Sequence, residues 1–355
     1  MTATLVEGLA DQHIIVCLGP GGVGKTTTAA AVGAALSRNG SRVCVLTIDP
    51  ARRLAGALGL DHVGNDPVSV PGFGDSFKVA MLDARITFDE MVRRYAVSEQ
   101  QIQEITRNPV YWNLVTRLSG TQEYMAFERL WELRESGMFD TIVVDTPPAQ
   151  AAIDFLHAPM RLAGFLDNRI FKFLLKPPPF YLRPLATATR SLIRQMAQVV
   201  GAQVIDDTIQ FFQAFSGIED GFRERAEATS TLLASSMTSY LLVTSARPDA
   251  LAGSMAIAGL LAEIGHEVAA VAVNRLTPDF GDLPRSGVAG PASQLMEELA
   301  AEREQELAAV ARRLAASSLP GFFPLDDLGI EVASIGTLAL MSDAIRSSVF
   351  VKLAG

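Results

Sequence analysis

The chain has 355 residues, 49% apolar and 19% charged, with a formal net charge of −9. That is enough for a full core and one or two domains, and too apolar for a disordered chain. The acidic balance argues against a nucleic-acid backbone as main partner. With no basic-then-apolar N-terminal segment and no apolar run of about 18 residues, neither a signal peptide nor stable membrane insertion is expected, and the expected compartment is the cytoplasm.

His13-Ile14-Ile15-Val16-Cys17-Leu18 is an apolar run of strand length, and Thr27 to Leu36 is alanine-rich and helix-like. Between them lies Gly19-Pro20-Gly21-Gly22-Val23-Gly24-Lys25-Thr26, which fits the phosphate-binding pattern G-x-x-x-x-G-K-[ST] in its strand–loop–helix setting. Glycines let the backbone curl so that N–H groups face phosphate oxygens, and the helix start adds partial positive charge. Lys25 is expected to reach the β- and γ-phosphates and the Thr26 hydroxyl to bind Mg²⁺.

Arg42 to Ile48 forms a second continuous apolar strand running into Asp49-Pro50. A carboxylate at a strand's carboxyl end could orient water for attack on a γ-phosphate, or it could cap the helix expected at 52–58. Spacing alone leaves both open. The two cysteines, Cys17 and Cys44, fall in these strands, which as neighbours would bring the thiols close; they read as small buried apolar residues, and a disulfide framework or C-x-x-C metal site is excluded.

Residues 64–76 read as loop and Phe77 to Leu82 as a third strand. From Arg85 to Glu135 the pattern is helical, broken at Pro109 and at Ser119-Gly120. Asp140 to Pro148 returns to the sheet, and an apolar strand ending in Asp145 is what a phosphate-loop protein uses to hold Mg²⁺, usually through water. Ala151 to Ser236 contains no convincing strand and carries nine of the chain's 18 phenylalanines, so apolar bulk concentrates there. These rings, among them Phe171, Phe173, Phe211 and Phe212, form either a helical core or a groove for an apolar partner helix. Tyr240 to Thr244 and Val268 to Val273 are further strands, the second leading to Asn274, whose amide could recognise a base. Asp279 to Ala292 is Gly/Pro-rich and expected to be disordered, 294–314 is an amphipathic helix, Phe322-Phe323-Pro324 a short last strand, and 335–347 the closing helix.

The alternation predicts an α/β fold, a doubly wound and mainly parallel sheet with helices on both faces. The expected organisation is a nucleotide-binding domain in three parts, 1–84, 137–150 and 238–355, with a helical insertion at 85–136 and a Phe-rich helical subdomain at 151–237.

Several motifs together resemble the ArsA-like family of dimeric ATPases, which includes arsenite-pump ATPases and the ATPase that guides tail-anchored membrane proteins. Gly21-Gly22-Val23-Gly24-Lys25-Thr26-Thr27 is similar to the family's deviant phosphate loop. Thr47-Ile48-Asp49-Pro50-Ala51 resembles its first switch, and Asp145-Thr146-Pro147-Pro148 with Asp154 to Pro159 resembles its second. Asn274-Arg275-Leu276 resembles its base-recognition turn, and Gly120 to Phe127 and Phe222 to Ala226 its helical parts. The resemblance implies ATP and Mg²⁺ as ligands. It implies that Gly21, Gly22, Val23, Gly24, Lys25, Thr26 and Thr27 hold the nucleotide, with Asn274 and Pro324 as further contacts, Asp49 and Lys25 catalytic, and Thr26 and Asp145 on the metal.

Pro20 departs from the family pattern, which places there a lysine that crosses the dimer to the partner's phosphates. Gln150-Ala151 stands where Gly-His is frequent, and the arsenite-binding and zinc-binding cysteines are missing. The wording is similar to a bacterial, actinobacterial subgroup of paired unlike paralogues. The expectation is therefore an ATP hydrolase working as a nucleotide-gated dimer, a heterodimer with a lysine-bearing paralogue ahead of a homodimer, acting on an apolar client such as a membrane-protein segment. The alternative is a nucleotide-binding regulatory subunit with little turnover alone; a ParA- or MinD-like positioning ATPase fits the acidic charge and long helical insertions less well.

Overall fold

In the computed structural model, the described residues are 4–48, 53–58, 60, 62–117, 121–148, 154–158, 160, 161, 164, 167, 201–280, 291–317, 319, 321–330 and 334–353. The strands in chain order are β1 (Ile14–Leu18), β2 (Val43–Thr47), β3 (Val68–Ser69), β4 (Phe77–Met81), β5 (Thr141–Asp145), β6 (Thr238–Ser245), β7 (Val268–Leu276), β8 (Gly321–Asp326) and β9 (Val351–Lys352). Among the described residues the helices include α1 (Leu5–Leu9), α2 (Lys25–Arg38), α3 (Arg53–Leu58), α4 (Ala84–Tyr95), α5 (Glu99–Thr106), α6 (Pro109–Arg117), α7 (Thr121–Glu135), α8 (Ala202–Phe215), α9 (Glu219–Leu233), α10 (Pro248–Glu263), α11 (Pro291–Leu314) and α12 (Ile335–Ser347).

The chain divides into two compact units, one of Met1–Leu82, Leu133–Ile153 and Leu233–Gly355, the other of Asp83–Glu132 and Asp154–Leu232. The first holds a nine-stranded sheet in the order β3-β4-β2-β5-β1-β6-β7-β8-β9. Pairing is parallel from β4 across to β8, and antiparallel only where β3 and β9 join the edges. Every residue of β1, β2, β5 and β6 is buried, which is why these strands read as unbroken apolar runs. The fold class is thus the expected α/β one.

Helix α2 buries eleven of its fourteen residues, Lys25 among them. Its alanines and Gly33 let it lie close on the sheet: a Cβ at Gly33 would fall 2.6 Å from Val45 Cγ2 and 2.8 Å from Phe77 Cε2. On α2's surface Arg38 reaches α12, its Nη1 2.7 Å from Asp343 Oδ1. Where β2 and β5 begin, Arg42 and Asp140 are paired, Nη2 to Oδ1 at 2.6 Å and the Arg42 N–H to Oδ2 at 2.8 Å.

Three expectations need correction. The strands carrying Cys17 and Cys44 are not neighbours, because β5 runs between β2 and β1 and pairs with both. Residues 64–76 are not all loop, since β3 adds an antiparallel edge to β4. The strand at Phe322-Phe323-Pro324 extends over Gly321–Asp326 and is followed by β9.

The second unit is helical in its described residues. Its centre is Phe222, packed edge-on by Phe88 and Phe215 and stacked by Tyr124, with Phe211 stacked on Phe215. Phe127 stacks on Phe155 with centroids 3.9 Å apart. Phe155, Phe211, Phe215 and Phe222 are buried and Phe212 is half-buried, whereas Phe165, Phe171, Phe173 and Phe180 lie outside the described residues. Glu128, fully buried, is held between Arg94 and Arg225, each 3.4 Å away. Among the described residues no helix is long and apolar enough to cross a membrane.

Candidate nucleotide site

Parallel pairing brings the carboxyl ends of β1, β2, β5, β6, β7 and β8 to one edge of the sheet. Register puts Cys17 and Thr47 on either side of Asp145, Ser245 beside Asn274, and Val273 beside Pro324. In such sheets ligands bind outside this edge.

The loop leaves β1 at Leu18 and enters α2 at Lys25. Its start lies hard against β6, since a Cβ on Gly19 would fall 2.1 Å from the Val243 carbonyl oxygen. Gly21 and Gly22 are exposed, and Gly24 turns into α2 with a left-handed φ of 91° and no capping side chain. The first-turn N–H groups of α2 are therefore not covered by a side-chain cap, the arrangement that suits an anion. Lys25 is 7% exposed and its Nζ donates to the Pro20 carbonyl at 2.8 Å, so the ammonium is folded over the loop. Thr26 and Thr27 follow, half-buried. Pro20 faces α10, where a Cβ on Gly253 would stand 3.1 Å from Pro20 Cγ.

Asp145 is fully buried, and its Oδ2 accepts from the Thr47 hydroxyl at 3.0 Å. Next to it, Thr146 Oγ1 donates to the Cys17 carbonyl at 2.7 Å, tying the end of β5 to β1. Burial, and then the Asp145 charge, push the Cys17 thiol far above its usual range against the pull of Lys25, so Cys17 stays a protonated apolar filler. Asp49, together with Gln150 and Ala151, lies outside the described residues.

Asn274 is buried, and its Nδ2 donates to the Val23 carbonyl at 2.9 Å. Pro324 is half-buried, its carbonyl accepting from Ser348 Oγ at 2.7 Å. A cleft of about 400 Å³ opens beside the loop between Gly22, Ser245 to Arg247, Arg275 and the α11 residues Glu302, Gln305 and Glu306. That is large enough for a small organic ligand. Sequence reasoning did not single out this α11 wall. Its charges read as the wet face of an amphipathic helix, and nothing local links them to a glycine loop near the other end of the sequence. Among the described residues no group of three or more His, Cys, Asp or Glu side chains is placed to hold a metal by itself.

The sequence model of the anion-transporting ATPases matches residues 12–283, most of the chain. The chain belongs to the anion-transporting ATPase family. The match includes the loop, Asp145 and Asn274 and ends before Pro324. Similar relatives include ATPase get3 of Schizosaccharomyces pombe, 33% identical over 55% of each chain. A Prosthecochloris vibrioformis protein named for an arsenical pump-driving ATPase is 25% identical over 62% of this chain and 53% of its own. One so named from Aquifex aeolicus is 23% identical over 76% of this chain and 64% of its own. This family member thus spans little more than half the length of the first two of these curated relatives.

Proposed function

We propose that this chain is a Mg²⁺-dependent ATP hydrolase whose nucleotide cycle opens and closes a dimer. What carries the reading is the single sheet edge at which the glycine loop with its folded-over Lys25, the buried Asp145 and Asn274 meet. Lys25 and the N–H groups of Gly21 to Thr27 neutralise the β- and γ-phosphates, and Asn274 and Pro324 hold the nucleoside side. Asp49 places the water that attacks the γ-phosphorus as the bond to the bridging oxygen breaks. The Thr26 hydroxyl and the Asp145 carboxylate, the latter through water, offer the hard oxygens that Mg²⁺ takes, and the Thr47 hydroxyl fixes the orientation of Asp145. Bound Mg²⁺ would supply charge neutralisation at the phosphates.

Two variants test the division of labour. Asp49→Asn is expected to leave ATP bound and slow hydrolysis about 10²-fold or more, the scale of a positioned base. Asp145→Ala is expected to weaken the Mg²⁺ dependence of binding instead. Normal turnover in the Asp49 variant would remove water activation from the account.

The finer reading is a cytoplasmic pair of unlike subunits, of the bacterial, actinobacterial type, that handles an apolar client through the helical stretches 85–136 and 151–237. The pairing with an unlike subunit is supported by Pro20, which can give no charge across an interface and is seated against Gly253. The same residue favours, as second reading, a regulatory subunit that binds nucleotide and turns over poorly without a lysine-bearing partner. Turnover of the protein alone, and mixed with such a paralogue, separates the two.

A further inference from the structure

The contact between Asn274 and Val23 spans 251 positions of sequence and lies inside the fold, Asn274 being 5% and Val23 3% exposed. A backbone carbonyl can only accept, so the amide nitrogen, not its oxygen, faces Val23. Gly24 makes the room: a Cβ there would fall 2.4 Å from Asn274 Nδ2. The Val23–Gly24 peptide is the last before α2, and the Gly24 carbonyl already serves the helix, accepting from the Thr28 N–H at 2.8 Å. Its orientation therefore sets how the loop delivers Lys25 and Thr26.

The end of β7 that carries Asn274 is itself fastened. Arg275 is left-handed, with a φ of 60°, a conformation a non-glycine residue keeps only where its surroundings hold it. The Thr277 N–H donates to Glu306 Oε2 at 2.8 Å, and the Asp327 N–H to the Leu276 carbonyl at 2.7 Å. Arg303, 14% exposed, donates to the Thr277 carbonyl and, at 2.6 Å, to Asp326 Oδ1.

We propose that Asn274 is a positioning residue for the phosphate loop, holding the Val23–Gly24 peptide in its ligand-ready shape, and that Arg303 serves it by pinning the end of β7 to α11. This rests on the nucleotide reading above but concerns the loop and not the base. Removing the amide leaves a buried carbonyl short of a donor and loosens the loop, an effect on the order of tenfold in affinity.

Tripolyphosphate separates the two roles of Asn274, because it has phosphates and no base. Calorimetric titration of the full chain with Mg²⁺ and either tripolyphosphate or ATP is expected to show tripolyphosphate about tenfold weaker in Asn274→Ala, and ATP weaker by at least as much. Arg303→Ala should weaken both in the same proportion as each other, and Arg303→Lys should recover most of the loss. If Asn274→Ala binds ATP less well but tripolyphosphate as the wild type does, the amide reads only the base and the inference is overturned. Should Asn274→Ala not fold, undiminished tripolyphosphate affinity in Arg303→Ala overturns it equally. A wild-type protein that binds neither ligand would refute the nucleotide reading itself.

Discussion

Gly19 and Gly21 stand two positions apart in the loop and differ in what a methyl group would meet. At Gly19 it would run into the Val243 carbonyl oxygen, which belongs to β6 and cannot move aside; at Gly21 it would meet only Pro148 Cβ at 4.0 Å. Gly19→Ala is therefore expected to destabilise the fold by about 1–3 kcal/mol, and Gly21→Ala by less than about 1 kcal/mol. Urea unfolding of the two variants checks this, and equal losses would contradict the placement of the loop on β6. At this scale the sequence showed the pattern glycines, Lys25 and the strand-end Asp145, because each obeys a local spacing rule. It did not show the Thr47 hydroxyl on Asp145 or the Asn274 amide on Val23. Those contacts join residues far apart in the chain, and no periodicity records them.

The central strands were legible for a physical reason: a strand covered on both faces must be apolar throughout, and β1, β2, β5 and β6 are. Strands β3 and β9, two residues each, are too short to show any period. Helix α1 was overlooked although Thr4 and Glu7 form a reciprocal capping box at its start, a signal that stood in the sequence. The adjacency of the two cysteine strands was misjudged because chain order is not spatial order in a sheet that inserts β5 between them. Element packing yields two expectations. A methyl group at Gly33 would press on Val45 and Phe77, so Gly33→Ala should lose about 1–3 kcal/mol in denaturant melts despite the better helix propensity of alanine. The Arg42–Asp140 pair ties the starts of β2 and β5, and hydrogen bonds from Arg42 hold the Asp140 carboxyl below its ordinary value. A carboxylate depressed in the folded state stabilises above its unfolded pKa, and the gain fades as pH falls through the folded value. Asp140→Ala should thus melt about 1–2 °C below wild type at neutral pH, the gap closing below about pH 4. Both side chains are half-exposed, so the gap should also shrink in high salt.

At the scale of the whole molecule, the proposed dimer brings two nucleotides' charge to one interface, and Pro20 offers nothing to offset it. A homodimer of this chain would meet that repulsion at both sites, whereas a lysine-bearing partner relieves it at this chain's own site only. Hydrolysis in the mixed dimer is expected to be asymmetric, with this chain's site the faster, as mutation of one phosphate loop at a time would report. Full turnover by this chain alone, unaltered in Pro20→Lys, would remove the case for an unlike partner. All of this depends on the sheet edge being a nucleotide site, and calorimetric titration of Mg²⁺-ATP into the wild type and Lys25→Ala tests that most directly. The account predicts saturable binding to the wild type, lost in a Lys25→Ala protein that keeps its fold; undiminished ATP affinity without Lys25 would contradict it.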